Sequence, residues 1–173
     1  MDVKNPVHAP RGELALFSGR SGKGLAEKVA HELTLIYKAH ELEPTKEGKR
    51  TNDGAFELWD GSLESFANGE LRYEVKDNIR GKDVFVIQCC DDPTEKSRSI
   101  NDNITEVELA LYTLRHNGRP GNLTAILPLF PYSRADRPDP EKRNTTSLKW
   151  FAQKLSYVGK NNIIMTDLHS PIG

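Results

Sequence analysis

The sequence predicts an α/β fold: a mostly parallel sheet flanked by helices, with an inserted hairpin. Apolar runs such as Val84–Gln88 and Leu123–Phe130 are nearly continuous, which is typical of strands buried on both faces of a parallel sheet. Elsewhere apolar residues recur every three or four positions, which indicates amphipathic helices. Strands that alternate with helices in this way build a layered α/β sandwich.

The first half of the chain is expected to contain three strands and one helix. In chain order they are a strand at Leu14–Phe17, a helix at Gly24–Tyr37, a strand at Phe56–Leu63 and a strand at 71–76. Asn68-Gly69 separates the last two strands and is a hairpin signal. Residues 40–55 are polar and show no period, so we expect a loop there.

The second half is expected to add two helices and two strands after the strand at 84–88. Asn103 is predicted as the N-cap of the first of these helices, because Glu106 stands at its third position. Thr146 or Ser147 is predicted to cap the second helix, and Gly159 to end it. Leu123–Phe130 and Asn162–Thr166 are the strands. The core-facing stripes are Ile104, Val107, Leu111 and Leu114, then Leu148, Phe151, Ala152, Leu155 and Val158.

Length and composition indicate one globular domain. The chain has 173 residues, 28% of them charged, and a formal net charge of −1, which argues against general binding to nucleic acid or to an anionic membrane. No apolar run approaches the roughly 20 residues of a membrane span, and the N-terminus lacks a signal-peptide core. Two adjacent cysteines, Cys89 and Cys90, are too few for a structural zinc site. We expect a reducing, cytoplasmic setting.

The segment Pro131–Asp139 is the strongest candidate for a functional site. It follows an apolar strand and carries two arginines and two aspartates, Arg134, Asp136, Arg137 and Asp139. Arginine offers a planar fork of donors to phosphate oxygens, and carboxylates attract hard cations. The sequence therefore predicts a phosphate and metal loop, and an ordinary solvated turn remains the alternative.

A second candidate is Asp167-Leu168-His169, which follows the last predicted strand. Both candidates lie after strands, and ligands of open parallel sheets bind beyond the carboxyl ends of strands. Asp167 and His169 point to the same side if the strand continues, and together they suit a divalent cation or a phosphate. The alternative is an aspartate that caps a helix beside a histidine in a turn.

Other motifs are interpreted as structural. Residues 19–24, Gly-Arg-Ser-Gly-Lys-Gly, resemble a nucleotide P-loop, but the spacing of the glycines is wrong and Gly24 stands where a Ser or Thr must reach magnesium. A tight turn into a helix is the preferred interpretation. Three histidines without partners at ligand spacing, His31, His40 and His116, are expected on the surface. Cys89 and Cys90 are expected to belong to the core and not to act as nucleophiles.

Six segments in register resemble ribose-phosphate pyrophosphokinases, also called PRPP synthetases. They are Phe66–Glu70, Asn78–Gln88, Asn101–Glu106, Thr124–Pro128, Pro131–Arg137 and Thr166–His169. The resemblance extends from Leu14 to His169, nearly the whole chain. It implies a type I phosphoribosyltransferase-like fold. It also implies magnesium-dependent transfer of pyrophosphate from ATP to ribose 5-phosphate, giving PRPP and AMP.

The same resemblance implies roles for individual residues. Arg134 and His169 take catalytic roles, and Arg134 is the main contact to the ATP phosphates. The residues that bind magnesium are Asp167 and His169. Those that contact ATP are Arg134, Asp136, Arg137 and Asp139 on the charged loop and Phe66, Asn68 and Glu70 on the hairpin. Because that hairpin reaches the adenine of a neighbouring subunit's ATP, a homo-oligomer is expected.

Departures from the family pattern leave two further hypotheses open. Ala135 stands where the family usually has glutamine, Pro138 where a basic residue is common, and the loops around 40–55 and 91–100 look longer than usual. Residues 1–173 are expected to form the N-terminal, ATP-side domain alone, without the second domain that binds ribose 5-phosphate, and to be inactive alone. A non-catalytic regulatory subunit and an unrelated α/β phosphate-binding domain are the alternatives.

Overall fold

The computed structural model of the chain describes residues 12–40, 49, 51, 53–92, 97–159 and 162–166. Helices and strands follow one another largely as the sequence predicts. In chain order they are β1 (Leu14–Ser18), α1 (Lys23–Ala39), β2 (Gly61–Ser65), β3 (Leu71–Val75), β4 (Asp83–Ile87), α2 (Ile100–Thr113), β5 (Asn122–Ile126), α3 (Ser147–Tyr157) and β6 (Asn162–Ile164). A short 3-10 turn, Arg20–Gly22, precedes α1, and a π-helical turn, Leu114–Gly118, ends α2.

Four of the six strands form one parallel sheet in the order β1-β4-β5-β6, and β2 and β3 form a separate antiparallel hairpin. Val84 pairs with Ala15 on one side and with Leu123 on the other. Ala125 pairs with Ile163. Because all four strands run in the same direction, their carboxyl ends share one edge of the sheet. The predicted parallel sheet with an inserted hairpin is confirmed.

The two faces of the sheet are covered by different helices. Leu16 of β1 and Ile87 of β4 pack with Ala26 and Ala30 of α1. The other face belongs to a larger cluster, which includes Phe17. Other members of that cluster are Val84, Val86, Val107, Leu111, Phe151 and Leu155, from β4, α2 and α3. Tyr73 of β3 joins this cluster, so the hairpin is fastened to the same face as α2. The structure therefore has a layer of helix on each side of the sheet.

The beginning of α2 differs from the prediction. The helix begins at Ile100, because Ser99 forms a capping box in which its side chain accepts from the Asp102 N–H and Asp102 accepts from the Ser99 N–H. Asn103 is therefore not the N-cap: it lies inside the helix, buried, and its side-chain Nδ2 donates to the Cys90 carbonyl at 3.0 Å. The N-cap prediction was wrong because a second Ser-x-x-Asp pattern lies one turn earlier.

Three strands are shorter than predicted. β5 ends at Ile126 and not at Phe130, since Pro128 has no N–H to continue a ladder. The predicted strand Phe56–Leu63 is regular only from Gly61 onwards, and β6 ends at Ile164. The sequence predicted either Thr146 or Ser147 as the N-cap of α3. Thr146 is the N-cap residue, although its side chain makes no capping hydrogen bond.

The capping box of α2 provides a direct test of this assignment. Ser99→Ala is expected to lower the free energy of unfolding by about 1 kcal/mol, because one of the orphan N–H groups of the first turn loses its acceptor. Urea denaturation measures the change. Thr105→Ala is a matched control on the same helix, since its hydroxyl donates only to the Asn101 carbonyl. Equal losses in the two variants would contradict the capping role.

Among the helices of the described ranges, none is both long enough and apolar enough to cross a bilayer.

Candidate functional site

The two candidate segments begin side by side at the carboxyl edge of the sheet. Beyond β5, the Leu127 N–H donates to the Ile164 carbonyl at 2.9 Å. The Pro128 carbonyl then accepts from the Thr166 N–H at 3.1 Å and from its hydroxyl at 2.9 Å. Thr166 immediately precedes Asp167. The chain that enters the charged loop and the chain that reaches Asp167 are therefore tied together.

The backbone of the charged loop is anchored at its beginning. The Tyr132 carbonyl accepts from the Ala135 N–H at 3.0 Å, and the Ala135 carbonyl accepts from the Leu148 N–H at 3.2 Å in the first turn of α3. Tyr132 has a φ of +61°, a left-handed conformation that costs a residue with a side chain about 1–2 kcal/mol. The loop therefore needs compensating contacts at Tyr132.

The side chain of Tyr132 supplies these contacts. Its ring centroid lies 5.6 Å from that of Trp150 and 5.9 Å from that of Phe151, both in edge-to-face geometry. Its hydroxyl donates to Oδ1 of Asn101 on α2. Tyr132 thus joins the loop to both helices on this face of the sheet, which fixes the position from which Arg134, two residues later, leaves the backbone.

The four charged residues predicted for the loop are not equivalent. Arg137 Nε lies 3.8 Å from Asp136 Oδ2, and Lys142 Nζ lies 3.3 Å from Asp139 Oδ2. Asp139 Oδ1 also accepts the Glu141 N–H at 3.0 Å. Arg134 is exposed, and no carboxylate of the described residues pairs with it. Within that part of the chain, Arg134 is the loop residue whose charge is left for a ligand.

The loop separates two open pockets. Arg134, Ser133 and Ala135 border one of about 670 Å³, together with Asp91 and Ile100. The other, of about 610 Å³, is more apolar. It is lined by Asp136 and Pro138 and by residues of α3 and β6. Arg134 and Asp136 therefore line different pockets. Of the two, the pocket with Arg134 is the better candidate for the phosphate site that the sequence resemblance implies.

The hairpin residues form a well-defined tip away from the charged loop. The Phe66 N–H donates to the Glu70 carbonyl at 2.8 Å and closes the tip. Asn68 Oδ1 accepts a hydrogen bond from the Glu70 N–H at 3.2 Å. The Phe66 ring is 42% exposed, with the Arg72 guanidinium 5.6 Å from its centroid. In the contacts of the described residues, nothing joins this tip to residues 131–139 of the same chain.

Asp167 and His169, the predicted magnesium ligands, lie outside the described residues. Within the described ranges, no group of three or more His, Cys, Asp or Glu side chains is placed to hold a metal ion. Magnesium is commonly held by one or two carboxylates together with substrate phosphates. Among the described residues, Asp136 and Asp139 of the charged loop are oxygen donors of that kind.

The three histidines and Cys90 lie where the sequence predicts, whereas Cys89, also expected in the core, is only partly buried. His31, His40 and His116 are all exposed. Cys90 is completely buried, and its burial raises the pKa of the thiol to about 12. Burial also raises the pKa of Cys89. Since the thiolate is the reactive form of cysteine, neither residue is poised as a nucleophile.

One ion pair with a buried carboxylate, Arg20 with Glu106, was not predicted from the sequence. Glu106 of α2 is 1% exposed, and its carboxylate accepts from the Arg20 N–H at 2.8 Å and from Arg20 Nε at 3.2 Å. From the sequence, Glu106 was expected only to support a helix cap. The missed signal was its position on the apolar stripe of α2, where a carboxylate requires a partner.

Taken together, these observations define an α/β protein with a candidate site at the carboxyl edge of a parallel sheet, where an anchored loop carries an exposed arginine. The comparison with known families is more specific. Residues 14–159 match the family described as the N-terminal domain of ribose phosphate pyrophosphokinase, and the chain belongs to that family.

Individual relatives agree with this assignment. The chain is 31% identical over 158 residues to the ribose-phosphate pyrophosphokinase of Buchnera aphidicola, covering 91% of this chain and 41% of that protein. It is 31% identical over 156 residues to the one from Aquifex aeolicus, covering 90% of this chain and 41% of that protein. The chain therefore spans about two fifths of the length of these curated relatives.

A solved structure confirms the predicted fold class. The crystal structure of phosphoribosylpyrophosphate synthetase from Mycobacterium smegmatis superimposes with a TM-score of 0.71 at 29% identity. The match covers 92% of this chain and 44% of that one. The type I phosphoribosyltransferase-like fold implied by the sequence resemblance is therefore confirmed.

Proposed function

We propose that this chain is the N-terminal, ATP-binding part of a ribose-phosphate pyrophosphokinase, which transfers pyrophosphate from ATP to ribose 5-phosphate and releases AMP. The observation that carries the proposal is Arg134. It is an exposed arginine without a carboxylate partner in the described part of the chain, on a loop anchored at the carboxyl edge of the sheet. The names of the relatives supply the reaction class.

The proposed role of the charged loop is to hold and neutralise the phosphates of ATP. Phosphoryl-type transfer depends mainly on positioning and on stabilising charge that spreads over phosphate oxygens. Arg134 binds these oxygens through its planar fork of donors. Tyr132 fixes the origin of that side chain, while Asp136, Arg137 and Asp139 line the loop. The ribose 1-hydroxyl then attacks the β-phosphorus, and AMP is the leaving group.

Magnesium belongs to this proposal, and Asp167 and His169 are the residues proposed to hold it. When bound, the ion neutralises phosphate charge next to Arg134. The contact of Thr166 with Pro128 supports this placement, because it starts the Asp167 segment beside the loop. His169 is also proposed to act in catalysis.

The hairpin is proposed to reach the ATP of a neighbouring subunit in a homo-oligomer. The exposed ring of Phe66 supports this role, because aromatic rings can stack on adenine, and Asn68 and Glu70 add polar groups at the same tip.

Cys89 and Cys90 are both free thiols, which supports a reducing, cytoplasmic setting.

A second candidate is a non-catalytic subunit that keeps the fold. Ala135 favours it, because this residue places only a methyl group next to Arg134 in the pocket. In both candidates this chain corresponds to the ATP-binding part of its longer relatives and does not complete the reaction by itself.

Calorimetric titration of the chain with ATP and magnesium tests the proposal. We expect saturable binding that weakens when magnesium is removed, because the ion offsets phosphate charge near the carboxylates of the edge. Addition of ribose 5-phosphate to the same mixture is expected to release no AMP. The absence of ATP binding with magnesium present would contradict the ATP-side assignment, and AMP release by this chain alone would contradict its restriction to half of the reaction.

A further inference from the structure

A second polar cleft lies at the same edge of the sheet but beside β1, which is separated from β5 by β4. Its volume is about 340 Å³, and it is formed where the start of α1, the hairpin strands and α2 meet. Among its lining residues are Arg20 and Lys23, Trp59 and Tyr73. None of these residues belongs to the proposed ATP site.

Tyr73 leaves an unused donor in this cleft. It is only 7% exposed, and no group of the described residues accepts a hydrogen bond from its hydroxyl. The hydroxyl lies against Gly61, where a Cβ would overlap it. Burial, followed by the charges of Glu106 and Asp60, raises the pKa of Tyr73, so the hydroxyl keeps its proton at neutral pH.

The indole of Trp59 provides a second unused donor. Its Nε1 is buried and has no hydrogen-bond partner among the described residues. A buried donor without an acceptor costs about 1–3 kcal/mol. Both residues line the same cleft, so a ligand that reaches these two buried donors must carry acceptor oxygens.

The start of α1 adds positive potential to the cleft. This helix has 17 residues, its N-cap is Gly22 without a side-chain cap, and its first turn holds no acidic residue. The Arg20 N–H already donates to Glu106 and the Gly22 N–H to the Gly19 carbonyl. The dipole of the 17-residue helix still makes its start attractive to an anion. Lys23, at the first helical position, lines the cleft, and its nearest carboxylate, Glu27, is 4.0 Å away on the exposed surface.

The remaining charges of the cleft are largely matched. Glu106 is paired with Arg20 at 3.2 Å. Asp60 lies 3.9 Å from Lys76, and Lys49 lies 3.5 Å from Asp77. With these pairs made, Lys23 and the helix start remain as the groups that favour an anion, and the carboxylate of Asp60 can accept from a hydroxyl group.

We propose that this cleft binds the phosphate group of a small phosphate compound, either inorganic phosphate or a simple phosphate monoester. The phosphate lies at the start of α1 beside Lys23, and further oxygens accept from Tyr73 and Trp59. The segment 19–24 therefore acts as an anion-binding turn, although it lacks the Ser or Thr that would make it a nucleotide P-loop. The proposal does not depend on the proposed function.

The two tryptophans of the chain provide the readout, since Trp59 lines the cleft and Trp150 contacts Tyr132 beside the charged loop. The intact chain is titrated at constant ionic strength with inorganic phosphate, glycerol 3-phosphate and glycerol. Indole N–H and backbone amide resonances are followed by nitrogen-15 NMR. We expect saturable shifts at Trp59 and at residues 19–24 with the phosphate compounds and none with glycerol. Any shift at Trp150, which lies beside the loop proposed to bind the ATP phosphates, is expected to saturate with a different dissociation constant. Tighter binding of glycerol 3-phosphate would assign the ligand to the monoesters, and equal binding would assign it to inorganic phosphate.

Two variants with matched controls test the proposed contacts. Lys23→Ala is expected to weaken binding about threefold, and Lys28→Ala, further along α1, to leave it unchanged. Tyr73→Phe is expected to weaken binding about fivefold without lowering thermal stability, because it removes a hydroxyl without a partner, and Tyr157→Phe on the exposed surface is its control. Unsaturable shifts at Trp59, or an affinity measured at Trp59 that is unchanged in Lys23→Ala and Tyr73→Phe, would overturn the proposal.

Discussion

Arg134→Ala is expected to weaken the binding of ATP with magnesium by about tenfold to a hundredfold. The guanidinium is exposed and has no carboxylate partner among the described residues, so its removal takes away donors that only the ligand uses. Hydrogen bonds to charged groups contribute about 1.5–3 kcal/mol, and 1.4 kcal/mol is a factor of ten in affinity. Calorimetric titration of the variant and the parent chain measures the change.

Arg119→Ala is the control for this prediction. Arg119 is also exposed, and it precedes β5 at the opposite, amino end of that strand. The control removes the same charge from the chain and is expected to leave the ATP affinity unchanged. A similar loss of affinity in both variants would show a general electrostatic effect in place of a specific contact.

Arg20→Ala is expected to lower the free energy of unfolding by about 3 kcal/mol. The carboxylate of Glu106 is 1% exposed and loses its cationic partner, and breaking a buried ion pair from one side costs about 3–5 kcal/mol. The lower end applies because the Arg20 side chain is 42% exposed and because its backbone N–H still donates to Glu106. Urea denaturation with circular dichroism measures the loss.

A second substitution separates the buried charge from other effects of the Arg20 change. Glu106→Leu in the Arg20→Ala background removes the uncompensated carboxylate and is expected to recover most of the lost stability, because apolar replacements of buried ion pairs are often tolerated. If the double variant is less stable than Arg20→Ala, the carboxylate was not the source of the cost.

The sheet could be predicted from the sequence because its strands are buried on both faces. Val84–Gln88 and Leu123–Phe130 are therefore nearly continuous apolar runs, and their pairing follows from the alternation with helices. Strand ends were predicted less well, since apolar residues such as Phe130 continue into the core after the ladder has stopped at Pro128. The start of α2 was wrong because two capping patterns overlap, and only the earlier one, at Ser99, forms.

The charged loop could be located from its composition, but not its geometry. The left-handed conformation of Tyr132 depends on Asn101 of α2 and on Trp150 of α3, which lie far from it in sequence. The difference between Arg137, which pairs with Asp136, and Arg134, which pairs with no carboxylate of the described residues, also depends on contacts made only after folding. The cleft beside β1 was not predicted from the sequence, since it joins residues from five separate segments.

The most direct test of the central claim is to find where ATP binds on the chain. In a nitrogen-15 NMR titration with ATP and magnesium, we expect the indole N–H of Trp150 and the amides of residues 131–139 to shift and saturate together, since Trp150 packs on Tyr132 at the base of the loop. Saturation at Trp150 with the dissociation constant found by calorimetry would place the nucleotide on the loop. Binding of ATP that leaves Trp150 and residues 131–139 unchanged would contradict the claim.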